Sequence, residues 1–232
     1  MESKTLPVHV GFIIDGNGRW AKAHHVPQLE GHRRGYEKVK DLARWCKRRG
    51  IKVVTVYAFS TENWRRPAAE VSYLMDLNRL ALGRDLPELQ REGVRLRVIG
   101  RRNAKLPPDL VSLITAAEAH TADAGDLLLQ IALDYGGRAE IVAAVQEIIR
   151  AGIPADQVTE ETVAAHLWTS GVPDPDLIVR TSGELRTSGF LTFQAVYSEL
   201  YFTPTLWPDF SEAELDQILA AYAERQRRFG GR

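Results

Sequence analysis

The chain has 232 residues, enough for one α/β domain that buries its core without disulfide or metal staples. Its 30 Lys and Arg balance 30 Asp and Glu, so bulk charge carries no polyanion signal, and no nucleic-acid partner is expected. A single cysteine, Cys46, excludes an internal disulfide and fits a reducing compartment.

No apolar run approaches the ~18 residues needed to span a bilayer, and no apolar leader precedes Val8. A cytoplasmic protein is expected, with peripheral membrane contact left open.

Val10, Phe12, Ile13 and Ile14 form a short apolar run of the kind that becomes a strand buried on both faces. It stops at Asp15. Gly16-Asn17-Gly18 follow as turn formers, and Trp20-Ala21-Lys22 begins a helix-compatible segment. A strand, a glycine turn and a helix start together gather backbone N–H groups and partial positive charge, which suits an anion. Arg19 adds a forked cation for phosphate oxygens. Asp15 would repel a bare phosphate, so its place beside the cradle points to a bridging Mg²⁺ and a diphosphate ligand. Gly16-x-Gly18-x-x-Ala21 also fits a dinucleotide fingerprint. That reading is weak, because the next strand, Lys52 to Phe59, lies too far along and ends in Ser60-Thr61.

Leu29 to Arg49 reads as a helix with Leu42, Ala43 and Cys46 inward, capped by Gly50. Ile51 to Ala58 is a central strand, and the polar loop Ser60 to Arg66 leaves its C-terminal end, the edge where open α/β sheets bind ligands. One long helix is expected from Glu70 to Gln90, then a strand from Val94 to Ile99 and a helix from Pro107 to Ala124. Leu127 to Leu133 is a strand, Arg138 to Ala151 and Thr159 to Trp168 are helices, and Asp176 to Arg180 is a strand. A Ser/Thr/Gly-rich loop covers residues 181 to 195. Tyr197 to Phe202 is the last strand, and Ser211 to Arg228 a helix with Ser211 as N-cap. The alternation predicts one α/β domain over residues 1–232, a mostly parallel six-stranded sheet flanked by helices.

Four polar clusters fall at strand ends: Asp15 to Arg19, Gly31-His32-Arg33, Ser60 to Arg66, and Arg180 to Glu199. Arg180 and Arg186 around a Ser/Gly turn suit a second phosphate group, or else merely pair with local acids such as Glu184. Glu199 adds a hard oxygen ligand for Mg²⁺. Two anion sites beside one metal suggest two diphosphate substrates.

Asp-Gly-Asn-Gly-Arg-Trp-Ala (15–21), Gly-His-Arg-Arg-Gly (31–35), Tyr-Ala-Phe-Ser-Thr-Glu-Asn-Trp-Arg-Arg-Pro (57–67), Asp-Tyr-Gly-Gly-Arg (134–138), Arg-Thr-Ser-Gly-Glu (180–184), Tyr-Ser-Glu-Leu-Tyr-Phe (197–202), Leu-Trp-Pro-Asp-Phe (206–210) and Arg-Arg-Phe-Gly-Gly (227–231) resemble the cis-prenyltransferases, the undecaprenyl diphosphate synthase family. The resemblance runs through nearly the whole chain in order. It implies transfer of an allylic prenyl group from its diphosphate to a second isoprenoid diphosphate, isopentenyl diphosphate. It also implies a parallel sheet with a hydrophobic tunnel, and a homodimer.

By that resemblance Asp15 is the magnesium aspartate and Glu199 a further metal ligand. Gly16, Asn17, Gly18, Arg19, His32 and Arg66 match allylic-diphosphate contacts, and Trp20, Phe59 and Trp64 an aromatic wall near the prenyl carbons. Ser60 and Asn63 match residues of orientation and proton removal, with Thr61 and Glu62 beside them in the substrate loop. Arg180, Arg186, Thr187 and Ser188 match the acceptor-diphosphate loop, and Arg228 and Gly230 the family's tail, which reaches the partner's site.

Departures from the family pattern carry their own expectations. Gln28 stands where an arginine is usual, Leu185 where Gln or His is usual, Gly189 for Asn, Phe193 for Trp, and Asp134 for Asn. Asn78 and Arg79 place polar groups where long-chain members continue apolar. Together these suggest altered acceptor geometry and a short product. They leave room for a second reaction, irregular head-to-middle coupling of two allylic diphosphates as in the lavandulyl-type branch. A non-catalytic partner subunit is a remote third reading, because such members usually lose the aspartate kept here at Asp15.

Overall fold

The computed structural model describes residues 6–102 and 105–225. Six strands form one sheet: β1 (His9–Ile13), β2 (Val53–Ser60), β3 (Val94–Ile99), β4 (Leu127–Tyr135), β5 (Leu177–Arg180) and β6 (Glu199–Phe202), in the order β3-β4-β2-β1-β5-β6. Every pairing is parallel. All five residues of β1 are buried, as its unbroken apolar run requires of a strand covered on both faces.

Eight α-helices are described: α1 (Asn17–Ala23), α2 (Gln28–Arg48), α3 (Ala68–Gly83), α4 (Leu86–Arg91), α5 (Pro108–His120), α6 (Gly137–Arg150), α7 (Glu160–His166) and α8 (Glu212–Ala223). On one face Leu42, Cys46, Leu110, Ile114, Leu215 and Ile218 pack on β1–β4 with Trp207 and Phe210. On the other, Tyr57, Tyr135, Ile178 and Phe190 form a smaller cluster.

After β1 the chain builds the β2, β4 and β3 side before returning to lay β5 against β1. The C-terminal ends of β1 and β5 are therefore a topological switch point, where a crevice opens outside the strand ends. Asp15 leaves one of these strands and Arg180 ends the other.

Three expectations change. The long helix breaks: α3 stops at Gly83 and α4 restarts at Leu86. Pro87 has no N–H and its ring would clash with the carbonyl one turn back, while Asp85 in the break turns inward. Of the Gly16-Asn17-Gly18 turn only Gly16 has a left-handed φ, 115°, and Asn17 already begins α1. A Cβ on Gly16 would lie 3.1 Å from the backbone of Leu206 and Trp207. Finally, β4 runs two residues past Leu133, to Tyr135.

Candidate active site

Asp15 is fixed through its own peptide. The Thr181 hydroxyl accepts from Asp15 N at 2.9 Å and donates to Asp15 O at 2.6 Å, and Trp207 N donates to the same carbonyl at 3.1 Å. Its Oδ2 accepts from Arg180 Nη2 at 3.0 Å and lies 3.3 Å from Arg19 Nη2. Partial burial works against the charge, but the Arg180 hydrogen bond and the two guanidinium charges outweigh it and hold the carboxyl below its ordinary value.

Arg180 is only 4% exposed. Its Nη1 donates to Arg186 O at 2.6 Å and to Ser188 Oγ at 2.8 Å, so it ties the loop after β5 to Asp15. Arg19 donates to the carbonyl and hydroxyl of Ser182, a residue at φ 75°. Arg186 pairs with Glu184. The local-acid reading thus holds for Arg186, whereas Arg180 pairs with Asp15 from the neighbouring strand end.

On the opposite side of the rim, Glu70 Oε1 accepts from His32 Nε2 at 3.1 Å and from Arg66 Nη1 at 3.0 Å. An ionised carboxylate only accepts, so the His32 proton sits on Nε2. Burial lowers the His32 pKa, against the pull of Glu70. The sequence reading has Glu70 only as a helix start and gives it no site role, and its spacing four residues after Arg66 was the available signal. Gly31 and Gly35, one turn apart on α2, let α1 come close. A Cβ on Gly31 would collide with the Asn17 carbonyl, and one on Gly35 would lie 2.8 Å from Asn17 Cγ. The buried Asn17 Oδ1 has no hydrogen-bond partner. Gln28 lies against Gly18, its Nε2 3.6 Å from where a Cβ would stand.

Asn63 Oδ1 accepts from Ser60 N at 2.9 Å and so caps the short turn Thr61–Arg65. An amide engaged in this way positions the loop and is no base. Below the rim opens a cavity of ≈ 830 Å³. Asp15 to Arg19, His32, Ser60, Glu62, Asn63, Arg66, Arg180 and Ser188 surround its mouth, and alternate residues of β2, β3 and β4 (Val56, Leu96, Val98, Leu129, Ile131, Leu133) form its floor against Leu74, Leu77, Ala81 and Leu82 of α3. A second cavity of ≈ 340 Å³ adjoins it, sharing Glu62 and Ser188 and lined by Thr61, Arg138 and Thr187.

Several predicted site residues lie elsewhere. The expected aromatic wall does not line the main cavity. Trp20 turns away to donate to Asp209 Oδ1 at 2.7 Å and stacks on His24. Phe59 is in the core, edge-on to Trp64 at 5.0 Å, and Trp64 donates to the buried Asp134 at 2.7 Å. Arg79 points outward to Asp76 and Asp109, whereas Asn78 does line the cavity. Glu199 begins β6, three register positions short of Phe202, which pairs with Arg180 at the rim, and it receives Arg225 at 2.7 Å. Within this chain it is not brought to Asp15. Arg228 and Gly230 lie outside the described residues.

Among the described residues no three His, Cys, Asp or Glu side chains gather to hold a metal. The donor set is one carboxylate held ionised at a cavity mouth. That suits Mg²⁺, which takes most of its ligands from water and substrate phosphates. No helix among the described residues is long and apolar enough to cross a membrane.

The chain is 46% identical over 234 residues to the isoprenyl transferase of Lactococcus lactis, covering 99% of this chain and 96% of that one. It is 49% identical over 230 residues to the isoprenyl transferase of Agrobacterium fabrum, covering 97% and 93%. Among solved structures, lavandulyl diphosphate synthase from Lavandula x intermedia, crystallised with dimethylallyl diphosphate, superposes with a TM-score of 0.93 at 36% identity, over 98% of this chain and all of that one. A protein described as a probable undecaprenyl diphosphate synthase from Campylobacter jejuni gives 0.82 at 29%, over 97% and 99%. The prenyltransferase model described as undecaprenyl diphosphate synthase matches residues 13–230, and with these relatives it shows that the chain belongs to that family of isoprenyl transferases.

Proposed function

We propose that the chain condenses an allylic prenyl diphosphate with isopentenyl diphosphate to give a short cis-prenyl diphosphate, releasing diphosphate. One observation carries this: arginines and an ionised aspartate ring the mouth of a chamber whose floor and helix-facing wall are aliphatic. Such a shape fits a molecule with an anionic head and a hydrocarbon tail. Asn17, Gly18, Arg19, His32 and Arg66 would take the allylic head, and Arg180, Arg186 and Ser188 the second.

Asp15 would hold Mg²⁺, which when bound neutralises charge building on the departing diphosphate. Arg19 supplies fixed positive charge at the same place, the largest lever on breaking an allylic C–O bond. The electrons of the acceptor double bond then form the new C–C bond, and a proton leaves. Because the Asn63 amide is occupied by Ser60, the released diphosphate is the better proton acceptor. Homodimerisation is supported by the open edge of β6, where Val196, Tyr197 and Leu200 are exposed.

A second reading is irregular coupling of two allylic diphosphates. It is favoured by the likeness to lavandulyl diphosphate synthase and by the acceptor loop, in which Leu185 is 77% exposed and Gly189 takes φ 76°. Incubation with dimethylallyl or farnesyl diphosphate, with and without isopentenyl diphosphate, followed by mass spectrometry of the products, separates the two. Linear products that need isopentenyl diphosphate support the first reading. A branched product formed without it overturns that reading in favour of the second.

A further inference from the structure

Apart from Asn78, three polar side chains that contact one another line the chamber among its aliphatic residues. Tyr36 and Lys40, one turn apart on α2, both donate to Asp85 Oδ2 in the α3–α4 break: Lys40 Nζ at 2.9 Å, and the Tyr36 hydroxyl more closely still. Asp85 is 5% exposed, and all three line the cavity together with Leu82 and Leu89. Lys40 lies eight residues beyond the rim residue His32, about 12 Å along α2. Asp85 lies a full α3 length beyond Glu70, about 22 Å. Lys40 and Asp85 therefore lie beyond the diphosphate rim, and Tyr36, one turn past His32, stands between them and it.

We propose that Tyr36, Lys40 and Asp85 form a specificity-determining stop that limits the length of the prenyl tail the chamber accepts. This rests on the chamber being the prenyl-diphosphate site. A tail that reaches the cluster must strip water from the half-buried Lys40 ammonium paired with the buried Asp85, and offers it no hydrogen bond in return. Nor can the cluster swing aside cheaply, because withdrawing one partner strands a buried charge. Both donors to Asp85 come from α2, so the contact ties the α3–α4 break to that helix and the stop is part of the wall. On this proposal geranyl diphosphate ends short of the cluster, and the four isoprene units of geranylgeranyl diphosphate must crowd it.

Titration calorimetry with Mg²⁺ and dimethylallyl, geranyl and geranylgeranyl diphosphates tests this directly. The wild-type protein should bind geranyl diphosphate at least about tenfold more tightly than geranylgeranyl diphosphate, a step of about 1.4 kcal/mol. In Lys40→Met/Asp85→Leu, which exchanges the ion pair for apolar groups of similar volume and so keeps the fold, that ratio should shrink about tenfold or invert. Equal wild-type affinity for the two ligands overturns the stop, as does an unchanged ratio in a folded double variant. The wild-type series decides the matter even if the variant fails to fold. If none of the three ligands binds, the prenyl-diphosphate reading itself fails and the stop falls with it.

Discussion

Arg180, at the end of β5, donates to Asp15 Oδ2 at 3.0 Å across the switch point between two parallel strands that are distant in sequence and adjacent in the sheet. The same guanidinium holds Arg186 O and Ser188 Oγ. One buried cation thus couples the metal aspartate proposed for the first substrate to the loop proposed for the second.

Asp15→Ala should abolish turnover, with a loss of about 10³-fold or more, comparable to removing a main electrostatic contributor. The fold should persist, since Asp15 is held by its backbone. Chelation of divalent ions should reproduce the loss in the wild-type protein, and added Mg²⁺ should reverse it. Steady-state rates near normal in the folded variant would refute the metal assignment.

Arg180→Ala should raise the KM for the second diphosphate, because it removes a binding contact of that site. It should also lower kcat, because Asp15 loses the hydrogen bond that orients its carboxylate and helps to lower its pKa. Kinetics with each substrate varied in turn give the comparison. An unchanged KM for the second diphosphate would mean its site is misplaced.

Gly31→Ala should weaken both fold and site. Its Cβ meets the Asn17 carbonyl and comes within 3.1 Å of Ala21 Cβ, so α1 must move off α2. A cost of about 1–3 kcal/mol is expected from such overpacking, read by denaturant unfolding, together with weaker binding of an allylic diphosphate. Unaltered stability and affinity would show that this close approach is not required.

His9 should make the fold acid-sensitive. Its ring is buried: Nδ1 contacts Pro173 O and Nε2 contacts Thr55 Oγ1, both at 2.7 Å. Burial, against the pull of Pro173, lowers its pKa to about 4 from 6.5. The unfolded chain then binds the proton more readily than the fold, so this contribution is fully present above pH 6.5 and is lost as pH falls toward 4, by roughly 3 kcal/mol in all. Unfolding free energies at several pH values should show this slope, and His9→Gln should flatten it. Equal slopes in both proteins would contradict the assignment.

Much of this was legible because polar loops leave the C-terminal ends of β1, β2 and β5, and parallel topology brings those ends to one rim, which His32 joins from α2. Asp15, Arg19, His32, Arg66, Arg180 and Ser188 all meet there. The aromatic side chains were not legible. The family resemblance implied a wall, yet Trp20 is claimed by Asp209 and Trp64 by Asp134, partners far away in sequence. The α3–α4 break was hidden because apolar spacing continues across it, and Pro87 outweighed that periodicity. Asp85 was hidden for the same reason: only the break turns it toward Tyr36 and Lys40.

The most direct test is a crystal structure of the protein with a non-hydrolysable allylic diphosphate analogue and Mg²⁺. The phosphates should sit at the start of α1 beside Asp15 and Arg19, with the hydrocarbon tail running below them between α3 and the sheet. A ligand bound elsewhere, with the turn after β1 left empty, would contradict the account.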